Sequence, residues 1–349
     1  MIIWGITGNS HDASLSVMKW SPNGLTDHYK LKLLWAGLSR DFSGKPGDPS
    51  LSGKMLAYVR SNPRWAFPAK IVWYEKPFLK SLRQLYAGQG FLFQENNIKK
   101  YLAKAGIHKV PIEYAKHHHS HAAYGYFTAP FFERNAAIVV LDSIGEFQTF
   151  TIWHGKREKI KQVYSQRYPH SVGLFYSAMT QRLGFKPNAE EYKTEELAKK
   201  GNWRVHYRKF MEELVHTRMP FKLRENLHRG ANWWRPEFNS EEDLANIAAT
   251  TQHIFELILV SISGWCQTNI KADNVVFVGG CALNKTAINK LRHIWDDIWI
   301  PPNPGDPGSC IGSVLTKYPK HLDFNPDVWY NKNNGKIKTK QMVWGYHQP

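Results

Sequence analysis

The chain has few cysteines, no long apolar run and few acidic residues. Its three cysteines, Cys266, Cys281 and Cys310, are far apart, which excludes a disulfide framework and favours a reducing, cytoplasmic setting. No apolar run reaches the roughly 18 residues that span a bilayer. The N-terminus also lacks the basic and apolar segments of a signal peptide. The sequence therefore predicts a protein that does not associate with membranes.

The shortage of acidic residues leaves a large positive net charge. The 46 Lys and Arg residues outnumber the 29 Asp and Glu residues, which gives a net charge of +17. Such an excess favours a polyanionic partner such as nucleic acid through counterion release. A basic proteome or an adaptation for solubility is the alternative. The 349 residues, 42% hydrophobic and 14% aromatic, predict a globular protein of two domains or one two-lobed unit.

A strand, a glycine-containing turn and a second strand occur twice along the chain. The first copy comprises 2–7, 8–12 and 13–18, and the second comprises 136–141, 142–146 and 147–153. The two sequences differ, but the repeated pattern predicts a duplicated unit.

Strands and helices alternate over most of the remaining sequence, which predicts an α/β layered fold. Further strands are predicted at 31–38, 70–74, 110–114, 275–278 and 298–300, and helices at 51–59, 172–183, 241–269, 282–292 and 309–318. We expect a first lobe at 1–130, a second lobe at 131–320 and a polar tail at 321–349.

Basic and aromatic residues are interleaved in the segment 199–235, hereafter the basic segment. It holds ten basic and three acidic residues among six large aromatic side chains. Cations beside aromatic rings suit single-stranded or flipped bases. The candidate nucleic-acid contacts are Arg204, Arg208, Lys209, Trp233 and Trp234. A solvated surface with a few anchoring aromatics is the alternative interpretation.

The run 117–121 contains four histidines in five positions. On a helix, His117 and His121 would share one face about a turn apart, where two imidazoles can bind one metal ion. Asp306 lies in a glycine-rich turn between a predicted strand and a helix, and is the best candidate for a third ligand. A polar helix start with a structural histidine pair is the alternative.

Three glycine turns follow apolar strands, at Gly8-Asn9, at Gly145 and at Gly279-Gly280. Backbone N–H groups in such turns can bind phosphate, and a following helix adds its dipole. Each turn alone is ordinary, but together they predict a cleft for a nucleotide or phosphoanhydride.

Several polar residues near these turns are weaker candidates. His11 and Asp12 could serve as a general base and its orienting partner. Lys193 could neutralise a phosphate and Glu191 could hold a ribose or an amine, although this stretch could equally be a charged helix start. Cys281 opens a predicted helix, and we interpret it as a packing residue rather than a nucleophile.

Seven short motifs in one order resemble the O-carbamoyltransferase family of antibiotic and nodulation-factor biosynthesis. The resemblance covers roughly residues 1–318 and extends more distantly to the tRNA threonylcarbamoyl transferases. The motifs are His11-Asp12-Ala13-Ser14, Tyr74-Glu75-Lys76-Pro77, His117-His118-x-x-His121-Ala122-Ala123, Gly173-Leu174-Phe175-Tyr176-Ser177, Glu191-Tyr192-Lys193, Gly279-Gly280-Cys281-Ala282-Leu283-Asn284 and Pro304-Gly305-Asp306.

The resemblance implies the fold of the actin, sugar-kinase and heat-shock ATPase superfamily. Two ribonuclease H-like lobes would flank a nucleotide cleft, and the basic segment would be a helical insertion in the second lobe. The resemblance also implies iron or zinc bound by His117, His121 and Asp306. The implied reaction is carbamoyl transfer to a hydroxyl from carbamoyl phosphate or from a carbamoyl-adenylate made with ATP.

The resemblance assigns further residues to the same reaction. His11, supported by Asp12, would take the proton of the acceptor hydroxyl, and Lys193 would act beside them. The positions that would hold the nucleotide or donor are Gly8, Asn9, Gly145, Gly173, Glu191, Gly279, Gly280 and Asn284.

This sequence departs from the family at three places. Ser143 follows Asp142 where the family has Asp-Gly, and Thr194 begins a stretch that lacks the family's glycine. Many members also carry a C-terminal domain that makes the carbamoyl-adenylate. We expect no such domain here, and therefore expect another protein to supply the donor, or carbamoyl phosphate to be used directly.

The charge and the basic segment suggest a nucleic-acid acceptor, because a small-molecule enzyme needs neither. The chain looks similar to compact viral carbamoyltransferases that act on 5-hydroxymethylcytosine, which would place it in the cytoplasm of a host cell. We therefore expect DNA, or RNA, with a hydroxymethylated and flipped base. The alternatives are a small-molecule O-carbamoyltransferase that acts on a sugar or antibiotic, and a metal-dependent nucleic-acid-binding module with an inactive core.

Overall fold

A computed structural model describes residues 1–10, 12–21, 30–131 and 134–330. Its strands are β1 (Ile2–Thr7), β2 (Ser14–Ser21), β3 (Lys30–Leu38), β4 (Lys70–Trp73), β5 (Ile112–Tyr114), β6 (Ala136–Gly145), β7 (Gln148–Lys156), β8 (Lys159–Arg167), β9 (Val215–His216), β10 (Lys222–Leu223), β11 (Asn274–Val278) and β12 (Asp297–Trp299). Its helices are α1 (Ser39–Ser43), α2 (Gly53–Ser61), α3 (Pro77–Tyr86), α4 (Ile98–Lys104), α5 (His117–Phe127), α6 (Val172–Arg182), α7 (Glu191–Ala198), α8 (Arg204–Glu213), α9 (Glu241–Asn269), α10 (Lys285–Asn289) and α11 (Ser309–Leu315).

Two five-stranded sheets share one topology. The first has the order β3-β2-β1-β4-β5, and the second has the order β8-β7-β6-β11-β12. In the first sheet β1, β2 and β3 are antiparallel neighbours, and β4 and β5 run parallel to β1. In the second sheet β6, β7 and β8 are antiparallel neighbours, and β11 and β12 run parallel to β6. The predicted duplication is confirmed, and so is the two-lobed α/β fold of ribonuclease H-like lobes.

The sequence predicts most elements of the two sheets but misses β8. That strand is an edge strand with mostly exposed, polar side chains, so it lacks the apolar alternation by which a strand is recognised. The predicted helix 282–292 is shorter in the structure. Asn284 breaks it, because its side chain accepts a hydrogen bond from Ala287 N and caps α10.

Helices α5 and α11 cross between the two sheets. Helix α5 contacts β6, β7 and β11 of the second sheet, whereas α11 contacts β1, β2 and β4 of the first. The two helices also contact each other, and a Cβ on Gly312 of α11 would lie 1.8 Å from Ser120 O. Only glycine allows this approach, which brings the start of α5 to the seam between the lobes. The lobe boundaries at 130 and 320 stay predictions.

The long helix α9 lies in the core of the second lobe and contacts α6, α7, α8 and α10. Ser240 begins it, with its side chain accepting a hydrogen bond from Asp243 N. Among the described helices, α9 is long and apolar enough to cross a membrane by length and composition. However, 72% of its most apolar window is buried inside the protein, which is typical of a core helix.

Candidate metal centre

Helix α5 places two imidazoles on one face at the seam between the lobes. His117 and His121 are buried, and their Nε2 atoms lie 3.2 Å apart. The (i, i+4) spacing predicted from the sequence therefore produces the expected convergence.

Two carboxylates from outside α5 meet these imidazoles. Asp142 lies in β6, and its Oδ2 is 2.9 Å from His117 Nε2. Asp306 lies in the turn before α11, and its Oδ1 is 3.3 Å from both Nε2 atoms. One ligand atom from each of the four residues fits within 4.8 Å of the others. We call these four residues the cluster.

The spacing within the cluster fits a metal ion. Ligands about 2.1 Å from a tetrahedral metal lie about 3.4 Å apart along each edge. The five separations that include a histidine range from 2.9 Å, between His117 and Asp142, to 3.9 Å, between His121 and Asp142, and all four ligand atoms lie within 4.8 Å of one another. Two nitrogen and two carboxylate donors suit zinc or ferrous iron. The residues present therefore fit the metal that the resemblance implies.

A second layer of polar contacts orients the cluster. Glu75 Oε2 lies 3.4 Å from His117 Nδ1, and Lys80 Nζ donates to Glu75 Oε1 at 2.7 Å. Ser10 Oγ donates to Asp306 Oδ2 at 2.7 Å. A carboxylate on the far nitrogen of a histidine ligand fixes its tautomer and increases its basicity. Glu75 is thus a positioning residue for His117.

The electrostatics of the cluster favour a cation. Burial alone lowers the pKa of His117, but Asp306 and Asp142 outweigh that effect and raise the pKa well above its ordinary value. Burial raises the pKa of Asp142, yet its hydrogen bond with His117 leaves the pKa at about 2. Asp142 is therefore ionised at neutral pH, and a divalent ion would displace the proton held by His117.

Glycines that the sequence predicts to bind the donor or nucleotide surround the carboxyl end of β6. A Cβ on Gly145 would lie 2.3 Å from His117 Cδ2, and one on Gly173 would lie 2.9 Å from Asp142 O. Gly279 has φ +92°, and its Cβ would lie 2.1 Å from Leu141 O. These three glycines therefore approach His117, Asp142 and Leu141 more closely than any side chain permits. Their binding of a donor or nucleotide stays a prediction.

The other predicted nucleotide contacts are divided between the two lobes. Gly8 fits against Tyr101, whose Oη would lie 2.4 Å from an added Cβ, and Asn9 Nδ2 donates to Glu95 O at 3.1 Å. Gly280, in the second lobe, lies near Asp142, whose Oδ1 would be 3.6 Å from an added Cβ.

Glu191 and Asn284 lie in polar networks of the second lobe. Glu191 Oε1 accepts from Ser177 Oγ at 2.7 Å, and Asn284 Nδ2 donates to Gln252 Oε1 at 2.8 Å. Since Ser177 lines the cleft described below, Glu191 lies beside that cleft.

Two of the three predicted catalytic residues lie in the part of the chain that the structure describes. His11 lies outside the described residues. Asp12 forms an ion pair with Arg40 at 2.9 Å. Lys193 lies on α7, where its Nζ donates to Glu190 Oε1 at 2.6 Å and its side chain is 41% exposed. The catalytic roles of these three residues stay predictions.

The basic segment packs differently from the surface that the sequence predicts. Trp234 is 1% exposed and lies in the second-lobe core, with its Nε1 donating to Glu213 Oε2 at 2.8 Å. The prediction that it stacks on a base was therefore wrong. Trp233 is exposed, Arg208 pairs with Glu212, and Arg204 and Lys209 lie over aromatic rings.

A cleft of about 440 Å³ opens from the cluster. Asp142 and Asp306 are among the residues that line it. The other lining residues include Ser143 and Ser177 of the second lobe, and Arg83 of the first. Residues 227–230 of the basic segment form part of its wall. The basic segment therefore contributes to the cleft as well as to the surface.

The sequence analysis missed the roles of Asp142 and Glu75. Asp142 ends an apolar stretch of β6 beside a glycine turn, the same context that made Asp306 a candidate. Glu75 follows a buried strand within the Tyr-Glu-Lys-Pro motif. Position after a strand was thus a usable signal for both residues, although their distances to the histidines depend on the fold.

Known proteins resemble this chain over much of its length. The family model described as carbamoyltransferase N-terminus matches residues 70–315. An uncharacterised protein of Synechocystis is 29% identical over 79% of this chain and 52% of its own length. Nodulation protein U of Rhizobium fredii is 32% identical over 22% of this chain and 13% of its own length.

The chain spans about half the length of the longest-matching curated relatives. Among solved structures, component A of (R)-2-hydroxyglutaryl-CoA dehydratase of Acidaminococcus fermentans aligns with 90% of this chain and 97% of its own, at 12% identity and a TM-score of 0.46. The family match covers more than half of the sequence and includes all four residues of the cluster. The chain therefore belongs to the carbamoyltransferase family whose N-terminal domain that model describes.

Proposed function

We propose that this chain carries the transfer centre of an O-carbamoyltransferase whose acceptor is a hydroxyl of a small molecule such as a sugar or an antibiotic. The observation that carries the proposal is the cluster, whose two carboxylates line a cleft of about 440 Å³, in a chain that belongs to the carbamoyltransferase family. A cleft of this size suits a small ligand.

The cluster would hold a divalent metal through His117, His121, Asp142 and Asp306. When bound, iron or zinc would supply a Lewis acid that polarises the carbamoyl carbonyl. Glu75 would orient His117 through its Nδ1, and Ser10 would orient Asp306. Burial of these groups keeps water from the ligands and strengthens their electrostatic effect.

In the proposed reaction, the acceptor hydroxyl oxygen forms a bond to the carbamoyl carbon. The bond from that carbon to the phosphate oxygen breaks, and phosphate leaves with the electron pair. With carbamoyl-adenylate as the donor, made with ATP, AMP leaves instead. The hydroxyl proton passes to a base, for which His11 is our candidate from the sequence.

A hydroxyl on a nucleic-acid base is the second candidate acceptor, for example the hydroxymethyl group of 5-hydroxymethylcytosine. The net charge of +17 is the observation that favours it. A duplex base would have to be flipped to reach the cleft. Binding to DNA that falls steeply with salt would support this candidate, and no binding at low salt would reject it.

The intact cluster argues against an inactive binding module. A module that only binds nucleic acid would need a metal for structure alone, whereas these two imidazoles and two carboxylates line an open cleft. Buried ionisable groups are costly to fold unless they have partners. Retention of all four therefore favours an enzyme.

The proposal is tested by measuring the mass of the reaction product. The full chain, loaded with ferrous iron or zinc, would be incubated with carbamoyl phosphate, with and without ATP, and with a panel of sugars, aminoglycosides and hydroxymethylated DNA. We expect one acceptor to gain a carbamoyl group with wild-type protein but not with His121→Ala. The arm without ATP identifies the donor. No gain on any acceptor, from protein shown to be folded and metal-loaded, would contradict the proposal.

A further inference from the structure

Arg83 of α3 lines the same cleft as Asp142 and Asp306. His228 and Arg229, from the turn after β10, line it as well. Both lobes therefore contribute basic side chains to one cleft.

Arg83 is a buried cation without a carboxylate partner in the part of the chain that the structure describes. It is 7% exposed, and its Nε donates to Glu146 O at 3.2 Å. Its Nη1 donates to Gln89 Oε1 at 2.7 Å. Both acceptors are neutral. Burial lowers the pKa of Arg83, and the charge of Glu75 offsets this only in part. A buried charge is costly unless it is paired, which points to an anion as the missing partner.

The two basic side chains contributed by the second lobe approach the first lobe just beyond α3. Arg229 Nη2 lies 3.5 Å from the position that a Cβ on Gly88 would occupy. His228 Nε2 lies 3.5 Å from Gln89 Nε2, the side chain that also binds Arg83. Burial lowers the pKa of His228, and the like charges of Arg83 and Arg229 lower it further, which favours the neutral imidazole. Gln89 therefore lies between Arg83 and His228.

Local backbone geometry holds this wall in place. Gly230 has φ +89°, and a Cβ there would lie 1.5 Å from Gln181 Oε1 of α6. The positive φ favours glycine at this position. The turn that carries His228 and Arg229 thus lies close against a helix that also lines the cleft.

We propose that Arg83 and Arg229 form an oxyanion subsite that binds a phosphate group of a substrate in the cleft. The identity of this ligand rests on the proposed function. A planar guanidinium binds phosphate through two parallel hydrogen bonds, and two such groups without carboxylate partners match a phosphate dianion. Asp142 and Asp306 would repel the same group from the cluster. The phosphate belongs either to the carbamoyl donor or to a nucleotide or phosphorylated acceptor.

The proposal is tested by binding, which needs no catalytic turnover. Calorimetric titrations would measure the affinity of the full chain for inorganic phosphate, alone and with saturating carbamoyl phosphate. The variants are Arg83→Gln and Arg229→Gln. Arg64→Gln is the control, because it removes one positive charge from an exposed site outside the residues that line the cleft.

We expect Arg83→Gln to weaken phosphate binding about tenfold or more, since a hydrogen bond to a charged group is worth about 1.5–3 kcal/mol. Arg229→Gln should weaken it severalfold, and Arg64→Gln should leave it unchanged. If carbamoyl phosphate competes with inorganic phosphate, the subsite binds the donor. If the two do not compete, the subsite binds the other substrate.

Two results would overturn the subsite. One is wild-type protein that binds no phosphate, and the other is binding that is equal in wild type and both cleft variants. If Arg83→Gln fails to fold, the exposed Arg229→Gln decides the question. If the protein transfers no carbamoyl group but still binds phosphate in a way that depends on the two arginines, the proposed function is rejected and the anion subsite is retained.

Discussion

The cluster and the outer face of the basic segment hold their charged side chains in opposite ways. In the cluster, buried imidazoles and carboxylates converge on one point, with His117 Nε2 3.3 Å from Asp306 Oδ1. On the basic segment, Arg208 pairs with Glu212 at 2.7 Å, and Arg204 lies 4.6 Å from the Trp203 ring centroid. Exposed pairs of this kind contribute little energy and need no ligand. The difference shows that convergence and burial, rather than the amount of charge, indicate a ligand.

The strongest test of this contrast removes one imidazole. His121→Ala should reduce carbamoyl transfer by about a hundredfold or more, because the polarisation supplied by a bound metal is worth several kcal/mol. The measurement is kcat/KM by product mass, with circular dichroism to show that the variant is folded. Activity near the wild-type value would remove His121 from the site.

The next test concerns two adjacent tryptophans of the basic segment. Trp234→Ala should lower the free energy of unfolding by about 3–5 kcal/mol, because the ring is buried in the core. Trp233→Ala, at a 56% exposed position, should change it by no more than about 0.5 kcal/mol. Urea titration measures both values. Equal effects would contradict the assignment of Trp234 to the core.

A smaller effect is expected from the layer behind the cluster. Glu75→Gln should weaken metal affinity about 10- to 100-fold, because Glu75 orients His117 without binding the metal. Glu113→Gln is the control, since it removes a carboxylate from a surface ion pair with Lys70. Competition with a chelator of known affinity measures the change. An affinity equal to that of the control would show that Glu75 has no orienting role.

The smallest effect is expected on the outer face of the basic segment. Charge reversal by Arg204→Glu, Arg208→Glu and Lys209→Glu together should leave kcat/KM for a small hydroxyl acceptor within about twofold, because these side chains are exposed or lie on aromatic rings. A large loss confined to a nucleic-acid acceptor would instead place that acceptor on this face.

Much of the fold follows from hydrophobic pattern. The apolar strands β1 and β6 and the glycine turns after them are evident in the sequence, and so is helix α9. Strand β8 is hidden because its side chains face water. The crossing of α5 and α11 is hidden too, since it depends on which sheet each helix packs against, and residue spacing carries no such information.

The candidate site was predictable to the extent that local spacing determines geometry. A helix places His117 beside His121 wherever it lies in the protein. Asp306 joined them through its context in a glycine-rich turn and through the family resemblance, and its contact with both histidines is confirmed. Asp142 could not be paired with them, because that distance depends on how α5 packs against β6 of the second sheet. The prediction from composition was wrong for Trp234, because an aromatic residue beside cations in the sequence can equally be buried in the core.

Metal content tests the central claim most directly. Wild-type protein, loaded with ferrous iron or zinc and desalted, should retain one ion per chain by elemental analysis. His117→Ala should retain almost none, because it removes the ligand that contacts both carboxylates of the cluster. Full occupancy in His117→Ala would contradict the account.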